Sequence, residues 1–135
     1  MKQKIKIVGL IILLIIGFAL SNGKHNTKVE QKISQITKDN TRKSINVKNI
    51  TSFAWDKAFL FGPYTSQEKI NKQLGVTFKD PSDIRKRDDI FLLVFLKDGK
   101  IVQYSEIKRQ SCDFYINHGN HLTPLSSTIK IKRYN

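Results

Sequence analysis

The sequence predicts an α+β protein: a small antiparallel sheet of four to five strands with one short helix packed on it, preceded by an N-terminal transmembrane or signal helix. Three observations carry that expectation. A basic tip is followed by an uninterrupted apolar run, a Gly-Pro corner leads into a helix with its own start and stop signals, and Asp-Gly separates two β-rich runs.

The first element is MKQKIKIVGLIILLIIGFALSNG. Lys2, Lys4 and Lys6 precede a stretch from Ile7 to Leu20 that holds only apolar or small residues, the pattern that engages an export machinery. A spanning helix needs about 20 apolar residues, with a usable range down to about 17. The run from Ile5 to Leu20 reaches that length only if Lys6 extends its ammonium toward the lipid head groups. Ala19 and Ser21 stand where a signal peptidase prefers small residues, so residues 1–23 read either as a retained signal anchor or as a removed signal peptide. The leading lysines favour a cytoplasmic N-terminus with the rest outside, a preference weakened by Lys24, Lys28 and Lys32 just beyond the run. No cysteine follows the run, which excludes a lipobox there. The sole cysteine, Cys112, has no intramolecular disulfide partner.

Residues 24–45 read as a polar linker that can form a short, partly frayed helix. Thr27 and Glu30 have capping-box spacing, while Val29, Ile33 and Ile36 make a thin apolar stripe. Residues 46–135 are then the extracytoplasmic α+β domain. Its first strand candidate, INVKNITSFAWDKAFLF, places Phe53, Trp55, Phe59 and Phe61 on one face by period-two counting and Ala54, Ala58 and Leu60 on the other. Gly62-Pro63 ends it, because proline donates no ladder hydrogen bond. Thr65 as N-cap with Glu68 three residues on forms a capping box, Ile70 and Leu74 share a face, and Gly75 stands where a left-handed stop is needed.

The run IFLLVFLKDGKIVQYSEI is the strongest hairpin signal in the chain. A two-residue Asp98-Gly99 loop pairs Lys97 with Lys100, Phe95 with Val102, Leu93 with Tyr104 and Phe91 with Glu106. Ile90, Leu92, Val94 and Leu96 line the opposite face, so this strand is apolar on both sides and belongs in the middle of a sheet. Two more strands follow, CDFYI and STIKIKRY. In the second, Ile129 and Ile131 alternate with Lys130 and Lys132, the mark of one wet face and of lysines guarding a sheet edge.

The chain is strongly basic, with 24 Lys and Arg against 11 Asp and Glu and a formal charge of +13. Such a balance suits anionic lipid, a cell-wall polymer or nucleic acid, and an envelope location disfavours the last. IRKRDD and the terminal lysines are the candidate basic surface, with Tyr104, Tyr115 and Tyr134 as rings for stacking or for the core. Gly-rich phosphate loops and paired glycosidase acids are absent. Cys112, Asp113, His118 and His121 are the only clustered residues with catalytic or metal potential. Structural zinc needs paired ligands at both ends, and a nucleophilic cysteine needs a positioned base and an oxyanion hole. The cluster supplies neither, so a core cysteine and loop histidines are expected. Asp56 beside Trp55 is expected to pair with Lys57 or an arginine of the following loop. The expectation is therefore no catalytic residue, no metal site and no cofactor.

WDKAFLFGPYT, the helix ending in Gly75 and DDIFLLVFLKDGKIV together resemble a group of small uncharacterised bacterial envelope proteins. These share a Trp-Asp-Lys strand, a Pro-Tyr-Thr corner and a Lys-Asp-Gly-Lys hairpin. The resemblance spans Phe53 to Tyr104 and implies a single-anchor or exported domain with no enzyme activity to carry over. A helix ending in Leu-Gly before an Asp-Gly hairpin is also similar to the small outer-membrane assembly lipoproteins, whose lipobox this chain lacks. The expectation for function is a membrane-anchored extracytoplasmic binding or accessory protein of the envelope, with a protein partner as one option. The alternative is a secreted inhibitor or immunity-type protein that neutralises an enzyme or toxin.

Overall fold

A strand that is apolar on both faces must be covered twice. The segment from Ile90 to Lys97 is such a strand, and the architecture is built around it. The computed structural model describes residues 23–134; the anchor or signal segment lies outside the described residues. In chain order the elements are β1 (Lys24–His25), α1 (Thr27–Lys38), β2 (Ser44–Asn46), β3 (Lys57–Phe61), α2 (Gln67–Leu74), β4 (Ile90–Lys97), β5 (Lys100–Lys108), β6 (Cys112–Tyr115) and β7 (Thr128–Arg133), with 3-10 turns at Val47–Ile50 and Ile84–Lys86.

The α+β class holds, with two helices and two sheets in place of one sheet and one helix. A four-stranded mixed sheet has the order β1-β5-β4-β3, and a three-stranded antiparallel sheet has the order β2-β7-β6. Phe91, Leu93 and Phe95 of β4 face a core shared with α1 and the small sheet, which includes Val29, Ile33, Ile45, Ile129 and Phe114. Ile90, Leu92, Val94 and Leu96 face a second core closed by Ile70 and Leu74 of α2 together with Phe78 and Ile84.

The hairpin turn forms as expected, with Asp98 and Gly99 both at positive φ and Lys97 opposite Lys100. Its register differs further along. Leu96 pairs with Ile101 but Phe95 pairs with Gln103, so Val102 is a bulge and Leu93 meets Ser105 in place of Tyr104. The bulge has a packing reason. It lets Ile101 enter the α2-side core and Ile107 the opposite one, although their even spacing of six residues alone would keep them on one face.

The long first strand is broken by the 3-10 turn and the irregular residues 51–56, which shifts the facing. Trp55 lies in the core beside α1, where its indole N–H donates to Thr51 Oγ1 at 3.0 Å, while Phe59 and Phe61 lie in the α2-side core. The four aromatic residues do not share a face. The lysines of β7 do not guard an edge either, since β7 is the middle strand of its sheet.

Both helices start one residue away from the expected caps. In α2 the cap is Ser66, whose Oγ accepts from Lys69 N at 3.2 Å; Thr65 instead donates to Gly62 O at 2.6 Å and closes the corner. Gly75 is the left-handed stop, with its N–H on Asn71 O. In α1 the cap is Asn26, whose Oδ1 accepts from Val29 N at 2.9 Å. Glu30 does not reach back to the cap. Its Oε1 accepts from the backbone N–H of Glu106 at 2.8 Å, satisfying β5 where its pairing with β1 has ended. The stretch expected as a frayed spacer is thus a 12-residue helix with Val29, Ile33 and Thr37 buried. Gly23 admits no side chain, because at φ +74° a Cβ would stand 2.7 Å from the Val102 carbonyl carbon.

Candidate functional site

An open groove of about 760 Å³ lies between α1 and the end of the β4–β5 hairpin opposite the turn. Helical spacing builds one wall: Thr27, Glu30, Gln31, Ser34 and Lys38 line the groove, while Val29 and Ile33 turn to the core. Arg87, Asp89, Glu106 and Arg109 supply the other side.

These charges are tied to one another. Arg87 holds Asp89 with two hydrogen bonds, both 2.8 Å, and reaches Glu106 Oε2 at 3.5 Å. Glu106 accepts from Ser82 Oγ at 3.1 Å through its other oxygen. Arg109 pairs with Asp113 at 2.8 Å and donates to Asp88 O at 2.9 Å. The hydrogen bond from Arg87 holds the Asp89 carboxyl below its ordinary range, and Asp89 in turn raises the Arg87 guanidinium further. A carboxylate held ionised in this way is a fixed charge at neutral pH, suited to recognition and poorly suited to proton transfer.

The pair makes a titration prediction. Because the folded pKa of Asp89 is depressed, its contribution is present above the unfolded value of about 3.9 and is lost as pH falls through the lower folded value. Arg87→Gln is expected to return the Asp89 side-chain carbon titration to the ordinary carboxylate range in NMR. An unchanged midpoint would show that Arg87 is not the cause.

The sequence candidates are scattered. Cys112 is 4% exposed in the core beside Phe114, whereas His118 is exposed in the loop beyond β6. His121 lies against Phe59, ring centroids 5.4 Å apart, and its Nδ1 is 2.8 Å from Asn120 Oδ1. Asp113 turns away from both histidines to Arg109 and the Tyr134 hydroxyl. Among the described residues no group of three His, Cys, Asp or Glu is placed to hold a metal.

Asp56 forms neither expected salt bridge; its Oδ2 accepts from Asp98 N at 2.9 Å and ties the hairpin turn to the residue before β3. IRKRDD is not a free basic surface, because Arg85 pairs with Asp83 and Arg87 with Asp89 and Glu106. Tyr104 is a half-buried packing residue, stacked on His25 at 4.9 Å and edge-on to Phe78 at 5.7 Å. Desolvation, followed by the nearby Glu106 charge, raises its phenol pKa. Tyr115 and Tyr134 remain exposed. The groove itself went unforeseen, since Glu30 and Glu106 meet only through a long-range contact with no local spacing to reveal it.

No protein family, curated protein or solved structure matches the chain. Among the described residues no helix is long and apolar enough to cross a membrane.

Proposed function

We propose that the chain is a binding or accessory module of the bacterial envelope, held at the membrane by its N-terminal apolar segment with the folded body outside the cytoplasm. The observation that carries the reading is the run from Ile7 to Leu20 behind Lys2, Lys4 and Lys6. The character of the body supports it. Setting those three lysines aside lowers the formal charge from +13 to +10, and that excess rests on residues outside the segment. In this reading the body binds: Arg87 and Arg109 of the groove are already paired with carboxylates, and Cys112 is a core residue.

Fractionation tests the reading. The full-length chain is expected in the membrane pellet after a high-salt wash, and protease added to intact cells is expected to degrade the body. A shortened product in the medium would favour the secreted inhibitor or immunity-type alternative. Intact chain free in the cytosol would overturn both.

A further inference from the structure

Tyr115 and Tyr134 are 47% and 48% exposed, on the outward side of the three-stranded sheet. Burial fixes that facing: Ile129, Ile131, Cys112 and Phe114 are in the core, so Lys130, Lys132, Asp113 and Tyr115 project away from it. Tyr115 stands directly across from Lys130, and Asp113 across from Lys132. Asp113 is the one acidic residue in these strands, and it is taken up by Arg109 at 2.8 Å and by the Tyr134 hydroxyl. The Tyr134 ring is thereby held against the surface, with Lys132 Nζ 5.9 Å from its centroid. Tyr115 also walls a shallow groove of about 250 Å³ beside Gly62, Ile116 and Asn120.

We propose that this face binds a linear phosphodiester polymer that carries sugar rings and lies outside the membrane. Lys130 and Lys132 take successive phosphates, while Tyr115 and Tyr134 stack on the rings. The inference rests on the envelope reading for the location of its ligand. Two lysines two residues apart along a strand project in one direction roughly 7 Å apart, which suits a chain of charges better than a single anion. Exposed rings beside ammonium groups that have no carboxylate partner are the pairing that retains charged polymers with cyclic units, each ring offering an apolar face at low entropic cost. A bilayer is the poorer occupant. The Tyr134 hydroxyl is tied to Asp113 and so keeps its ring on the sheet, where it is not free to enter a lipid layer.

The test measures retention of the purified full-length chain, in mild detergent, on immobilised poly(ribitol phosphate) bearing N-acetylglucosamine, across a salt series. Affinity is expected to fall linearly with salt on logarithmic axes. The double variant Lys130→Gln, Lys132→Gln is expected to weaken binding by about thirtyfold and flatten the salt slope. Tyr115→Ser is expected to weaken it about tenfold with the slope unchanged. Lys69→Gln with Lys72→Gln, exposed on α2, is expected to leave retention within about twofold.

Equal losses from the two lysine pairs would overturn the site in favour of diffuse charge. Equal retention on polyglutamate would overturn the ring contribution. Stronger retention on phosphatidylglycerol vesicles would overturn the polymer in favour of lipid, and stronger retention on single-stranded DNA, itself a sugar-phosphodiester chain, would overturn the envelope polymer as the ligand. Because the assay is indifferent to where the chain resides in the cell, a cytosolic location with polymer binding intact would sink the envelope reading and leave the site standing. Unchanged far-UV circular dichroism in each variant establishes that the fold is retained.

Discussion

Phe95→Ala is expected to lower the stability of the folded body by about 3–5 kcal/mol, a large share of the 5–15 kcal/mol typical of a domain. Phe95 is fully buried on the central strand, between Ala58 of β3 and Gln103 of β5. Phe53 and Trp55 both meet its ring edge-on, with centroids 4.9 and 5.5 Å away and planes at 88° and 67°. Truncation therefore removes the transfer free energy of a large ring, opens a cavity that β-sheet neighbours cannot collapse into, and orphans two favourable aromatic contacts. Phe95→Leu keeps most of the burial and is expected to cost about 1–2 kcal/mol. Urea unfolding of the full-length chain in mild detergent, followed by far-UV circular dichroism, measures both. At an m-value near 1.5 kcal/mol/M the Ala variant's midpoint falls by roughly 2–3 M. Leu125→Ala, at a side chain 96% exposed, is the control. Equal shifts for Phe95→Ala and Leu125→Ala would show that the aromatic cluster does not hold the sheet to its cover.

The residues that state their environment locally were legible. Ile90 to Leu96 announce a strand covered twice because both alternate sets are apolar, Asp98-Gly99 announces a turn because both φ values must be positive, and Gly75 announces a stop for the same reason. The features that escaped depend on partners remote in sequence. A two-residue strand such as Lys24–His25 has no alternation to read; its place beside β5 is set by Gly23 against Val102 and by the Asn26 N–H on Tyr104 O. The helix α1 looked frayed because its stripe is thin, yet Asn26 receives the Ser105 hydroxyl on its carbonyl and Glu30 receives the Glu106 amide, contacts nearly eighty residues away. Counting in twos failed from Ile45 to Phe61 because one irregular segment is enough to invert every later side chain. The candidate site was hidden for the same reason, since local arginines read as a free patch until Glu106 and Asp89 are seen to take Arg87.

Arg133 gives the second large effect, and it acts where no pattern pointed. From β7 its guanidinium crosses to the end of α1, donating to Thr37 O at 3.1 Å, to Asp39 O at 2.8 Å and to Arg42 O. The last carbonyls of a helix have no partner within it and carry the negative end of the helix dipole, so a cation there satisfies both needs. The planar fork matters as much as the charge, because one group reaches three acceptors without distorting the turn after α1. Arg133→Ala is expected to cost about 2–3 kcal/mol, less than three isolated charged hydrogen bonds because water reaches the exposed carbonyls. Arg133→Lys keeps the charge but not the fork and is expected to recover less than half of that loss. Amide hydrogen exchange separates this role from general destabilisation. Below the global unfolding limit, amides in the last turn of α1 and the turn to β2 are expected to exchange faster in the Ala variant, while those of β4 change only as far as overall stability falls. Uniform acceleration across α1 and β4 would mean that Arg133 supports the whole body and does not serve as the clasp between the helix and the three-stranded sheet.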